Sequence, residues 1–249
     1  MTIAIVQTDI RWADPAVNRQ CIEELIEGQS ADLFVLPEMF STGFATNPVG
    51  IAEEDNSSLS WMKAMASQHH AAFAGSIAVK EGERYYNRFY FVKPDGSVST
   101  YDKRHLFTYG HEDQYFTAGS QRTIVEYQGV RILLEVCYDL RFPVWSRNRK
   151  DYDMIIYVAN WPTSRMGVWN TLLRARAIEN QCFVAGVNRV GTDPVCDYSG
   201  GSMVIDAYGK VIADCGTDNP GCATVTLDME RLYAFRKKFP VLDDADVLV

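Results

Sequence analysis

Three residues far apart in the chain carry the side chains that thiol attack on a carbonyl or nitrile carbon requires: Glu38, Lys103 and Cys137. A cysteine nucleophile needs a base to take its proton, a cation to hold the developing oxyanion and a way to protonate the leaving group. A carboxylate, an ammonium and a thiol supply those parts. Each residue also has a plainer reading. Cys137 can be a buried structural thiol, since free cysteine is among the most buried residue types. Glu38 can be an exposed loop carboxylate and Lys103 a solvated charge, because charged side chains mostly lie at the surface. None of the three has a histidine beside it in sequence, so a Cys/His pair of the papain kind has no support.

The elements that would position them are legible. In GVRILLEVCYDLRFPVW (129–145), the run Ile132 to Val136 reads as a strand buried on both faces, and Cys137 sits at its end. Pro143 then opens a helix expected to reach about Lys150. Leu33 to Leu36 is another buried strand, and Glu38 follows Pro37 at its carboxyl edge. Ligands of open α/β sheets bind at the carboxyl ends of strands. Ala72 to Val79, Tyr85 to Val92 and Val98 to Tyr101 read as strands, the last two joined by the turn Pro94-Asp95-Gly96. The polar and aromatic loop DKRHLFTYGHEDQYF comes next, with Lys103, His105, His111 and Glu112. Long irregular loops in compact domains tend to be functional.

Met154 to Ala159 is a further buried strand, ending at Asn160-Trp161-Pro162, and Trp169 to Gln181 is an amphipathic helix. Thr2 to Gln7 forms the first strand and Pro15 to Gln29 the first helix, capped by Asp14. Two halves of similar order, with no Gly, Ser or Pro linker between them, predict one α/β domain over residues 1–249: two sheets sandwiched between helices. The tail FPVLDDADVLV (239–249) is acidic and apolar, and is expected to pack on a partner subunit.

Composition narrows the partners. The net charge of -8 argues against nucleic acid and anionic membranes, which call for basic patches. No apolar stretch approaches the roughly 20 residues of a membrane span, and the N-terminus lacks the features of a signal peptide. A cytoplasmic enzyme of small molecules is expected. The six cysteines form no CxxC pair and no zinc-like spacing with the four histidines, and they read as reduced thiols, mostly buried; the thiol chemistry expected here calls for no metal or organic cofactor.

Four motifs, LPEMFSTGF (36–44), YDKRHLF (101–107), EVCYDLRFP (135–143) and ARAIENQCFV (175–184), together resemble the nitrilase superfamily of carbon-nitrogen hydrolases. The resemblance covers nearly the whole chain. It implies an αββα sandwich and a Glu-Lys-Cys triad of Glu38, Lys103 and Cys137, with Glu112 supporting the lysine and the Tyr138 amide sharing the oxyanion. Among such enzymes the chain looks most like the omega-amidases, which release ammonia from the terminal amide of 2-oxo acid amides. A carboxylate-bearing substrate asks for a cation in the pocket, and Arg141 and Arg165 are the candidates. The alternative for Arg141 is an ion pair with Asp139 or Glu135. Phe40, Phe44, Tyr109, Phe116, Trp161 and Met166 are candidates to wall the pocket. A carbamoylase, a nitrilase or a silent binding module would carry the same triad. The family further implies a homodimer or larger homo-oligomer, pairing through helices near 143–150 and 169–181.

Overall fold

The apolar runs become the inner strands of two sheets. In the computed structural model, which describes residues 1–246, one sheet runs β14 (Gly221–Thr226), β1 (Thr2–Gln7), β2 (Leu33–Val35), β3 (Ala72–Glu81), β4 (Arg84–Val92), β5 (Val98–Asp102). The other runs β13 (Val211–Asp214), β12 (Met203–Ile205), β9 (Phe183–Val187), β8 (Met154–Val158), β7 (Val130–Val136), β6 (Ile124–Tyr127). Pairing is parallel between β1, β2 and β3 and between β7, β8 and β9. Parallel strands are covered on both faces. That is why these segments read as unbroken apolar runs.

Between the sheets, Ile3, Ile5 and Val35 meet Ile132, Leu134, Ile156 and Ala185 in one core. Helices α1 (Pro15–Ile26) and α2 (Ser57–His69) cover the outer face of the first sheet, with Ile22, Met62 and Ala66 against Ala4, Phe34 and Phe73. Helix α4 (Met166–Glu179) covers the second, where Trp169, Leu173 and Ala177 pack on Ile155, Tyr157 and Val184. The result is the expected αββα order. As expected, Asp14 caps α1, accepting from the Val17 amide at 3.2 Å.

Two local expectations are corrected and one element is new. Helix α3 (Pro143–Ser146) is a single turn and does not run to Lys150. Beyond it the Asn148 amide donates to Asn180 Oδ1 at 2.9 Å, and Asn148 Nδ2 to the Asn180 carbonyl at 3.0 Å, so tertiary bonds replace helical ones. Helix α4 begins three residues before Trp169. A short hairpin, β10 (Val190–Thr192) and β11 (Asp197–Ser199), was absent from the sequence reading. After α5 (Met229–Lys238), the first part of the tail lies on its own chain: Gln181 Nε2 donates to the Phe239 carbonyl at 2.7 Å and Leu242 is buried. Residues 247–249 of the tail lie outside the described residues. Among the described residues no helix is long and apolar enough to cross a membrane.

Candidate active site

Four strand ends meet at one spot. Glu38 follows β2, Lys103 follows β5, Cys137 follows β7 and Asn160 lies two residues past β8. Glu38 is wholly buried and its carboxylate is fully engaged. Its Oε1 accepts from Lys103 Nζ at 3.0 Å and from Asn87 Nδ2 at 2.7 Å, and its Oε2 accepts from the Asn160 amide at 2.8 Å. Asn160 Nδ2 also donates to the Glu38 carbonyl at 2.6 Å, so β2 and β8 are laced together at the site.

Lys103 Nζ reaches Glu112 as well, at 2.9 Å and 3.1 Å to the two oxygens. Glu112 comes from a 3-10 turn in the long loop (Glu112–Gln114), and its Oε2 accepts from the Phe107 amide at 2.6 Å. The loop is thus pinned by the residue expected to support the lysine. Burial alone would lower the Lys103 pKa, but the Glu112 and Glu38 carboxylates raise it above the ordinary range and hold it charged. Burial raises the Glu112 carboxyl and Lys103 opposes the rise.

Cys137 occupies the left-handed region, φ 46°, at the start of a 3-10 turn (Cys137–Arg141). A non-glycine residue there costs about 1 kcal/mol or more and persists only where its surroundings impose it. The first amides of a helical turn have no partner within it, so the Tyr138 amide is free of intrahelical bonding beside the thiol. Burial pushes the Cys137 thiol well up; the Glu38 charge adds to this and Lys103 pulls the other way. The resting pair is therefore a neutral thiol facing a carboxylate base and an ammonium. Such a set can move one proton from sulfur to oxygen while holding an oxyanion.

Cys137 and Lys103 open onto a cavity of about 480 Å³. Tyr138, Arg141, Trp161, Arg165, Tyr109 and Phe44 all line it, and Tyr109 stands largely exposed at its mouth. Among the described residues neither arginine has an ion pair: Arg141 lies 5.2 Å over the Trp161 ring and Arg165 5.3 Å over the Phe107 ring. Asp139 is occupied by Tyr101 and His105 instead of Arg141.

Phe40 is not part of the wall. Met39 turns left-handed, φ 44°, and Phe40 goes to the outer face of the first sheet, fully buried 5.6 Å from Trp61. Phe116 and Met166 likewise pack into core clusters. The sequence reading missed Asn87, whose Nδ2 donates to both glutamates, at 2.7 Å to Glu38 and 3.2 Å to Glu112. A lone asparagine in the aromatic strand RYYNRFYFV was its signal. The β10–β11 loop, which brings Asp193 and Cys196 to the cavity, had none.

Comparison with known proteins finds relatives along the whole chain. A family model described as carbon-nitrogen hydrolase matches residues 2–237. The chain is 45% identical over 248 residues to omega-amidase YafV of Escherichia coli K12, covering 99% of this chain and 97% of that one. It is 38% identical over 251 residues to the 2-oxoglutaramate amidase of Bacillus subtilis, covering 98% and 96%. The crystal structure of XC1258 from Xanthomonas campestris, a CN-hydrolase superfamily protein with an arsenic adduct in its active site, superposes with a TM-score of 0.97 at 41% identity, over 100% of this chain and 98% of that one. Fold and full-length similarity agree, and the chain belongs to the carbon-nitrogen hydrolase family, within the nitrilase superfamily that its motifs resemble.

Proposed function

We propose that the protein hydrolyses the terminal amide of a small 2-oxo acid amide, such as 2-oxoglutaramate or 2-oxosuccinamate, through a Cys137 thioester. Glu38 accepts the thiol proton as Sγ attacks the amide carbon, and Lys103 with the Tyr138 amide holds the oxyanion. The C–N bond then breaks, Glu38 returns the proton to nitrogen and ammonia leaves. Glu38 next activates water, which attacks the thioester carbon; the acid departs and the thiol is restored. Glu112 keeps the lysine charged and in place. Names borne by the relatives support the amide class, and one observation carries the carboxylate: two arginines without ion pairs among the described residues, on the wall of the cavity that holds Cys137.

The test is ammonia release from 2-oxoglutaramate, 2-oxosuccinamate, glutamine, asparagine, an N-carbamoyl amino acid and a simple nitrile. Turnover confined to the 2-oxo acid amides supports the reading. Carbon dioxide from the carbamoyl compound, or acid from the nitrile, would replace it with a carbamoylase or a nitrilase, and silence throughout would favour a binding module. Removing a charged hydrogen-bond donor costs about 1.5–3 kcal/mol, so Arg165→Ala or Arg141→Ala raises KM by roughly 10- to 100-fold. kcat should change little, because a carboxylate remote from the reacting carbon is held equally in ground and transition states. An unchanged KM in both variants would remove the arginines from the binding site.

The reading extends to a cytoplasmic homo-oligomer. All six cysteines are free, in keeping with a reducing compartment. Val144 on α3 and Ile178 on α4 are exposed, as faces that meet a second copy would be. Light scattering at micromolar concentration should give at least twice the chain mass. A monomer there would remove the assembly.

A further inference from the structure

Asp139 is wholly buried, and its carboxylate accepts from four donors. Oδ2 takes the Val136 amide at 3.0 Å and the Tyr101 hydroxyl at 2.8 Å; Oδ1 takes the His105 amide at 2.9 Å and His105 Nδ1 at 2.7 Å. The placement of those donors is informative. Val136 immediately precedes Cys137 and Asp139 is two residues after it, so the side chain closes a staple across the left-handed nucleophile. Tyr101 lies two residues before Lys103 and His105 two after it, so the same carboxylate holds the lysine segment on both sides. Two further contacts stiffen the assembly. The His105 ring stacks on Phe142 at 3.8 Å with planes 7° apart, and Trp145 Nε1 donates to the Tyr101 hydroxyl at 3.1 Å.

We propose that Asp139 is a positioning residue that sets the register between Cys137 and Lys103, with His105 as its donor on the lysine side. The inference rests on the thiol mechanism proposed above. Nothing else described links the two segments so directly: the ion-pair network of Lys103 runs to Glu38 and Glu112, while the thiol hangs from β7 on the other sheet. A nucleophile held away from its line of attack by about 1 Å loses roughly 10²-fold in rate. Because an ionised carboxylate only accepts, the His105 tautomer that pairs with Asp139 carries its proton on Nδ1, a donor that an asparagine amide can copy and an alanine cannot.

The experiment uses the full chain with Asp139→Asn, His105→Ala and His105→Asn, each checked by thermal melting. kcat and KM are measured for the amide that the wild type hydrolyses, alongside the rate of Cys137 alkylation by iodoacetamide, followed on the Cys137 peptide by mass spectrometry. Asp139→Asn should lower kcat by about 10²-fold. His105→Ala should lower it by about tenfold with KM within about threefold, and His105→Asn should recover most of that loss. Cys137 alkylation should slow in Asp139→Asn and His105→Ala and recover in His105→Asn. Alkylation needs no substrate, so a wild type inactive on every amide would defeat the proposed function and still leave the clamp under test. A folded His105→Ala with wild-type kcat and alkylation rate overturns the proposal. So does an equal loss in His105→Ala and His105→Asn, or a faster alkylation, which would mark simple loosening of the turn.

Discussion

Cys137→Ala should reduce ammonia release by roughly ten-thousand-fold or more, the scale on which removal of a catalytic nucleophile is felt. No second thiol can take over. Cys182 is buried under α4 and burial holds its thiol far up; Cys196 reaches the cavity wall beside Asp193, where burial and that carboxylate raise its thiol, and it lies outside the Glu38–Lys103–Glu112 hydrogen-bond network. The fold should survive the change, since Cys137 is partly buried at a strand end and the alanine inherits the same backbone restraints. A stability change of about 1 kcal/mol or less is expected. Cys137→Ser should be nearly as inactive, because a hydroxyl is a far poorer nucleophile than a thiolate. Ammonia assays beside a thermal melt decide the matter. Full activity in a folded Cys137→Ala protein would end the nucleophile assignment.

Lys103→Met should have the largest effect on stability. In the native site one ammonium sits between two buried carboxylates, with Glu38 at 3.0 Å and Glu112 at 2.9 Å. Methionine keeps most of the volume and removes the charge, leaving Glu38 and Glu112 facing each other. Breaking a buried ion pair from one side costs about 3–5 kcal/mol, which in a chain of this size lowers Tm by roughly 10 °C. Activity should fall by at least about 10²-fold through the lost oxyanion contact. The deficit should also depend on pH, with a definite sign. Burial already raises the Glu112 carboxyl, Lys103 is the main group opposing that rise, and the Glu38 charge adds to it. Without the lysine, the folded pKa of Glu112 lies still further above its unfolded value. The folded state then binds the proton more tightly. Its contribution is fully present below the unfolded pKa and lost as pH rises through the folded one. The Tm gap between variant and wild type should therefore narrow toward pH 5 and widen toward pH 8. A gap independent of pH would contradict the charge network.

What could be read from the sequence was whatever depends on neighbours along the chain. Apolar runs such as Ile132–Val136 and Met154–Val158 declared themselves as strands because both faces of a parallel strand need covering. Asp14-Pro15 announced a helix start, and Pro94-Asp95-Gly96 a hairpin. Glu38 and Cys137 could be placed at strand ends for the same local reason, with Lys103 just past another strand, and motif resemblance added Glu112. Contacts across the molecule were not legible. Nothing in the spacing of Glu38 and Asn160, separated by 122 positions, shows that hydrogen bonds from the Asn160 amide and side chain join the two. Phe40 and Phe44 look alike as loop aromatics, yet a left-handed Met39 buries one and leaves the other on the cavity wall. Arg141 had an obvious partner in Asp139, two residues away, until the folded chain gave that carboxylate four other donors. Helix α3 stops at Ser146 because Asn148 finds Asn180, not because its own residues end a helix. Local sequence decides which element a residue joins. Which groups meet is decided by packing two sheets face to face, since desolvated polar atoms must find partners wherever the fold brings them.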